Sequence, residues 1–271
     1  MRATVLVDNI AADGLCGEWG LSLYIEHAGH ALLLDTGASP LFCENAAALG
    51  LDIAAVEFGV LSHAHYDHAN GMEAFFAANG TARFYVRKGA RENCFGYHGK
   101  KLDYIGIRRG TLRKYADRIT YADGLCELYP GAWLLPHTTP DLAAVGKKAG
   151  MVVKNGLFRR ADDFAHEQTL VLEGESGLAV FSSCSHAGVV TILREVREAF
   201  PGKRVCAVIG GFHLYQTAPD EVRALAGLLR DSGVERIVTG HCTGQEAFDI
   251  LRAELGDGVA QMRTGLVMDI P

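Results

Sequence analysis

Residues 61–73 read Leu61-Ser62-His63-Ala64-His65-Tyr66-Asp67-His68-Ala69-Asn70-Gly71-Met72-Glu73. Three histidines and an aspartate crowd into this stretch directly after the apolar run Phe58-Gly59-Val60-Leu61 and before the helix-forming Met72-Glu73-Ala74-Phe75-Phe76. Imidazole nitrogens and carboxylate oxygens are ligands for borderline and hard divalent ions, so His63, His65, Asp67 and His68 can converge from one short turn. In an extended segment His63 and His65 project to the same side, and a turn tightening at Tyr66 brings Asp67 and His68 to a second point beside it. The spacing predicts a metal site with room for two adjacent ions.

Upstream of the turn, Val5-Leu6-Val7 reads as a strand, followed by Leu21–Glu26 and Ala31–Asp35 as a hairpin joined at His27-Ala28-Gly29-His30. Asp35, at the end of the third strand, is placed either to hydrogen-bond a histidine ligand from behind or to serve as a simple turn residue. Pro40 to Leu49 reads as a helix stopped by Gly50, Val56 to Leu61 as a strand, Met72 to Ala78 as a helix and Ala82 to Val86 as a strand. Residues 88 to 130 break this rhythm, with scattered glycines, aromatic residues and basic pairs. The expected organisation is a single domain over 1–271 carrying an insertion or cap at about 88–160. His98 and His137, in or beside that segment, read as surface or structural histidines.

The regular pattern resumes at Thr169–Glu173 and Leu178–Phe181, a second hairpin resembling the first, so the chain looks like two similar halves. Helices are expected over Leu193–Phe200, Asp220–Arg230 and Ala247–Leu255, with strands over Arg204–Ile209, Arg236–Thr239 and Leu266–Met268. Polar clusters follow the apolar strands: Ser182-Ser183-Cys184-Ser185-His186, Gly210-Gly211-Phe212-His213 and Gly240-His241-Cys242-Thr243-Gly244. With the 63–68 turn placed likewise, these groups can share one edge of a layered sheet at the carboxyl ends of strands.

Composition sets the outer bounds. A chain of 271 residues that is 49% hydrophobic can bury a large core. No run of eighteen apolar residues suggests a membrane span, and the first apolar run fits a strand better than a signal peptide, so a cytoplasmic protein is expected. Seven cysteines without a Cys-x-x-Cys pair read as reduced thiols, mostly buried. The net charge of −6 argues against nonspecific nucleic-acid binding, yet residues 87–160 carry fifteen Lys or Arg against six Asp or Glu. That local excess is either a set of solvated faces or a holder for an anionic substrate.

These residues together resemble the metallo-β-lactamase superfamily. The His63-x-His65-x-Asp67-His68 turn matches its central motif, with Asp35-Thr36-Gly37 before it and His186 and His241 after it. More narrowly, Ser183–Gly188, Gly210–Leu214 and Gly240–Gly244 resemble the branch of 7,8-dihydropterin-6-methyl-4-(β-D-ribofuranosyl)-aminobenzene-5'-phosphate synthase-like proteins. The resemblance covers nearly the whole chain apart from the segment at about 88–160. It implies an α/β fold, an αββα sandwich with metals at one edge between two mixed sheets. Carried over by position, it also implies that His63, His65 and His186 bind one ion and Asp67, His68 and His241 the other. The superfamily usually has a bridging aspartate where this chain has Cys184. A Cys184 thiolate can take that place, or solvent alone can bridge. His166, before a strand, competes with His186 as the remaining histidine ligand, and His186 is preferred.

Two adjacent divalent ions, zinc by preference with manganese or iron as alternatives, would supply hydroxide from a shared water. Asp67 would bind metal and orient that hydroxide, and His213 would assist the leaving atom or hold the substrate, ahead of His166 and Glu167. The expected activity is metal-dependent hydrolysis of a small phosphorylated or otherwise anionic substrate. A synthase joining a pterin-like electrophile to a phosphorylated arylamine is the alternative enzyme, and a non-catalytic metal-containing sensor is the alternative outside catalysis. Neither a membrane nor a nucleic-acid partner is expected, while homo-oligomerisation is left open.

Overall fold

The computed structural model describes all 271 residues. Two seven-stranded sheets form its centre. The first runs in the order Val267–Asp269, Arg2–Val7, Ser22–His27, His30–Leu34, Phe58–Val60, Arg83–Arg87, Ile119–Ala122, and the second in the order Val259–Gln261, Arg236–Thr239, Val205–Ile209, Gly177–Phe181, Gln168–Gly174, Ala132–Pro136, Cys126–Tyr129. Each contains an antiparallel hairpin, Leu23 opposite Leu34 in one and Leu170 opposite Phe181 in the other, that continues into parallel strands. The two similar halves expected from sequence are these two sheets.

Alternating apolar residues put one face of each sheet against the other, with Val5, Leu23, Leu34 and Val60 meeting Leu134, Leu170, Phe181 and Ile209 in one buried cluster. Helices cover the outer faces. Phe42 and Ala46 from Leu41–Ala48, and Met72, Phe75 and Phe76 from Met72–Ala78, pack with Leu33 and Phe84 of the first sheet. On the other side Ile192, Leu193 and Val196, then Val222, Ala226 and Leu229, recur at helical spacing against Val180 and Val208. The result is the αββα layering. Each fully buried Leu or Phe contributes about 1.5–3 kcal/mol, so Phe75→Ala, at a fully buried ring, is expected to cost about 3–5 kcal/mol.

The 88–160 segment is not the single irregular insertion read from sequence. Ile119–Ala122 completes the first sheet and Cys126–Tyr129 with Ala132–Pro136 completes the second. Only Cys94–His98, Lys101–Tyr104, Met151–Asn155 and Phe158–Ala161 stand apart, as a four-stranded sheet. These strands are short, and Phe158–Ala161 buries none of its residues, so no clean alternation marked them. A helix over Leu142–Lys148 also lies here. Farther on, the helix expected from Leu193 begins at Val189, immediately after Gly188 at φ +88°. The β-branched pair Val189-Val190 had masked that start. No helix is long and apolar enough to cross a membrane.

Candidate metal centre

The strands of both sheets release their site residues at one common edge. Arg2–Val7 is followed by Asp8 and Asn9, His30–Leu34 by Asp35, and Phe58–Val60 by the 62–68 turn, in which Tyr66–Ala69 forms one helical turn. Across the gap, Gly177–Phe181, Val205–Ile209 and Arg236–Thr239 lead into Cys184 and His186, His213, and His241 with Cys242. Asp35, Ser185, His213 and His241 all adopt positive φ, between 49° and 60°. Such backbone strain in non-glycine residues is sustained only where the surroundings hold it, and it clusters at functional sites.

One group consists of His63, His65 and His186. Their donor atoms lie within 4.8 Å of one another, and the Nε2 atoms of all three are buried without a hydrogen-bond partner. Burial first, then the neighbouring histidines, pushes His63 and His186 well below the ordinary imidazole range and His65 down to about 3. Three neutral imidazoles with free buried nitrogens aimed together are the donor set a divalent cation requires.

Beside it lies a second group. Asp67 Oδ2 is 3.7 Å from His68 Nε2 and 3.4 Å from His241 Nε2, and Cys184 Sγ is 3.2 Å from His68 Nε2. Tetrahedral bonds of about 2.0–2.3 Å place neighbouring donors roughly 3.3–3.8 Å apart, so these separations are close to those of an ion's coordination shell. Despite burial, His68 and then His241 hold the Asp67 carboxyl far below the usual carboxylate range. Cys184 belongs to compact groups with His63 and His68, with His241 and Cys242, and with His186 and His213. It therefore sits between the two donor clusters, where the sequence had left a thiolate bridge open.

The ring orientations are fixed from behind. His68 Nδ1–H donates to Asp35 Oδ2 at 2.7 Å, and the Ser62 backbone N–H and hydroxyl donate to the same carboxylate at 2.7 and 2.6 Å. With its proton committed to Asp35, Ser62 Oγ accepts from His63 Nδ1 at 2.8 Å. Asp35 thus holds two histidines, one in each donor group, with their Nε2 atoms forward, and of its two sequence readings the one that supports a histidine from behind fits. His241 is held in the same way by Asn9, whose Oδ1 lies 3.1 Å from His241 Nδ1, while Asp8 Oδ2 accepts the His241 backbone N–H at 2.9 Å. Sequence reasoning missed Asp8 and Asn9 in this role. The available signal was their position directly after a strand, shared with every other cluster.

His213 lines the cavity, its ring 4.5 Å from that of His186, and its buried Nδ1 has no partner. His166 and Glu167 do not line it. His166 Nδ1 accepts the Ala64 N–H at 3.2 Å while Nε2 lies 3.0 Å from Asp162 Oδ2, so both ring nitrogens are engaged. Glu167 accepts the backbone N–H groups of His186 and Ala187 at 2.8 and 3.0 Å. Both residues support the site loops rather than face a substrate. His137, also structural, lies between Glu167 Oε2 at 3.0 Å and Glu195 Oε2 at 2.8 Å. His98 reaches the cavity wall while pairing with Asp103.

The cavity beside the two clusters measures about 310 Å³ and is walled by Trp19, Tyr66, Tyr97, Met151 and Tyr215. No Lys or Arg lines it. Many basic residues of 87–160 are engaged elsewhere: Arg108 and Lys114 with Glu73, Lys88 with Asp123, Lys148 with Glu221 and Arg160 with Asp163. The solvated-face reading of the charge cluster fits most of them. Arg159 is nearest in role to an anion holder, donating to Tyr97 Oη at 2.8 Å on the cavity wall.

The fold agrees with comparison to known proteins. Residues 20–181 match the family model of the metallo-beta-lactamase superfamily, and the chain belongs to that superfamily. Its members typically bind metal ions and its fold is an enzyme fold. Among relatives, the chain is 25% identical over 266 residues to 7,8-dihydropterin-6-methyl-4-(beta-D-ribofuranosyl)-aminobenzene-5'-phosphate synthase of Methanocaldococcus jannaschii, covering 92% of this chain and 89% of that protein. The crystal structure of Tm1679, a metal-dependent hydrolase of the beta-lactamase superfamily, superposes with a TM-score of 0.85 at 31% identity, covering 100% of this chain and 99% of the other. A diphosphatase from the PhnP family shares the fold at a TM-score of 0.56 and 15% identity, covering 100% of this chain and 98% of its own.

Proposed function

We propose that this chain is a metal-dependent hydrolase acting on a small substrate whose reacting oxygen lies between the two donor clusters. The observation that carries the reading is the set of buried, unpartnered Nε2 atoms of His65, His186 and His241 at one cavity, with that of His63 grouped behind them beside His65 and His186. Buried nitrogens without partners cost free energy unless something fills them. Divalent ions held by these histidines, Asp67, His68 and Cys184 would lower the pKa of a water and polarise the substrate oxygen. Zinc suits a donor set that includes a thiolate.

The protein's own groups then have distinct tasks. Asp67, kept ionised, orients the attacking water by accepting its hydrogen bond. His213 presents its free Nδ1 to the leaving group. Trp19 and Tyr215, 5.7 Å apart edge to face, hold an apolar or planar part of the substrate and exclude water from it. An anionic part of the substrate, phosphate above all, would be met by the metal ions, since no Lys or Arg lines the cavity and Arg159 reaches only Tyr97 Oη of its wall.

A second reading follows from the aromatic wall together with the relative named as a synthase: condensation of a pterin-like electrophile with a phosphorylated arylamine at the same centre. Assaying the metal-loaded protein for phosphoester and diphosphate cleavage, in parallel with pterin condensation, separates the two. Hydrolysis abolished by His65→Ala supports the first reading, and condensation without hydrolysis replaces it with the second. Full metal loading with no turnover of any substrate would point to a sensor.

A further inference from the structure

Beyond the conventional donors lies a second buried thiol. The donor atoms of Cys184, His241 and Cys242 lie within 4.8 Å of one another, and none of the three residues is more than 3% exposed. Buried cysteine is ordinarily a small apolar packing residue. Three features set Cys242 apart from that role. The His213 backbone N–H donates to Cys242 Sγ at 3.3 Å, a contact that favours sulfur carrying negative charge. Gly211 supplies the space for the sulfur, since a Cβ there would come within 2.6 Å of Cys242 Sγ. The neighbouring His241 Nε2 is buried without a hydrogen-bond partner because Asn9 occupies only its Nδ1, and both cysteines and His241 line the cavity.

We propose that Cys242 Sγ is itself a metal donor, joining Cys184 Sγ and His241 Nε2 so that the second metal position is thiolate-rich and selects a thiophilic divalent ion. Adjacent residues can serve one ion here because His241–Thr243 is a tight helical turn, just as Asp67 and His68 lie on the turn Tyr66–Ala69. Soft thiolate donors shift preference towards zinc and away from manganese or magnesium, which take oxygen ligands. The inference rests on the metal-centre reading above and goes further by assigning a donor that the superfamily motif does not contain.

Cobalt(II) titration of the metal-free full chain tests it, because thiolate ligation produces a charge-transfer band in the near-ultraviolet. The band is expected in the unmutated protein, to fall to about half in Cys184→Ser and in Cys242→Ser, and to vanish in the double variant. A band unchanged by Cys242→Ser overturns the inference. A crystal structure of the zinc-loaded unmutated protein, with zinc located by anomalous scattering, needs no variant to fold: Cys242 Sγ and Cys184 Sγ both at about 2.3 Å from one zinc support it, and Cys242 Sγ outside bonding distance of any zinc overturns it. Cobalt bound without any thiolate band overturns ligation by Cys242 and by Cys184, while leaving the histidine and Asp67 donors in place. Failure to bind any cobalt overturns the metal-centre reading as well.

Discussion

His68 Nδ1 donates to Asp35 Oδ2 at 2.7 Å, both side chains fully buried, and the same carboxylate reaches His63 through the Ser62 hydroxyl. One aspartate therefore fixes the tautomer and direction of a histidine in each donor cluster. Asp35 occupies φ +60°, a conformation asparagine also tolerates, so Asp35→Asn removes the charge while leaving the backbone at ease. Metal affinity is expected to fall about 10–100-fold, read by competition with a chromophoric chelator. An affinity within about twofold of the unmutated protein would show that Asp35 does not orient the ligands.

The choice between His186 and His166 as a ligand gives a paired prediction. His186 has a free buried Nε2 beside His63 and His65, whereas His166 is engaged at both nitrogens by Ala64 and Asp162. His186→Ala should lose metal and at least roughly 100-fold in turnover. His166→Ala should keep its metal stoichiometry yet lose about 3 kcal/mol of stability, because it strands the buried Asp162 carboxylate. Elemental analysis and urea denaturation of the two variants check this, and metal loss in His166→Ala with retention in His186→Ala would reverse the assignment.

Metal removal should weaken the fold as a whole. The unpartnered nitrogens come from both sheets, His63 and His65 following a strand of the first, His186 and His241 following strands of the second. An ion bound only by the folded state stabilises it by about 2.7 kcal/mol at a free concentration of 100 times Kd. A calorimetric melting temperature that rises when metal is restored after chelation is the expected result. Identical melting with and without metal would mean that the histidines hold no ion.

Much of this was legible in the sequence because the signals were local. The 63–68 turn announces its donors within six positions, and the second half repeats a strand followed by a histidine cluster. Asp35 was visible as a strand-end carboxylate. The small sheet was not, since short strands such as Phe158–Ala161 lack a buried face. Asn9 escaped for a different reason: both of its contacts with His241 are made across the whole length of the chain. Asn9 reaches His241 over 232 positions. Nothing in the residues flanking Asn9 encodes that closure, which depends on the face-to-face packing of the two sheets. The basic segment misled in the opposite direction, because charge counted along the chain does not reveal that Glu73 already neutralises Arg108 and Lys114.

The buried ion network behind His186 predicts how stability depends on pH. His137 lies between Glu167 and Glu195, and these carboxylates outweigh burial to push it up to about 9 from 6.5. Against burial, His137 and Thr139 hold Glu195 down to about 2 from 4.5. A raised histidine stabilises fully below its unfolded value, and that contribution is lost as pH rises from 6.5 through about 9. A lowered glutamate stabilises above its unfolded value, and that contribution is lost as pH falls from 4.5 through about 2. With metal ions in excess to hold the ligand histidines deprotonated, urea melts should show an alkaline decline on the order of 3 kcal/mol, at 1.36 kcal/mol for each pKa unit. His137→Gln should be less stable at neutral pH and should flatten the alkaline slope, the remainder belonging to His166, which Asp162 also raises against burial. A variant that kept the full slope between pH 7 and about pH 10 would place the titrating group elsewhere.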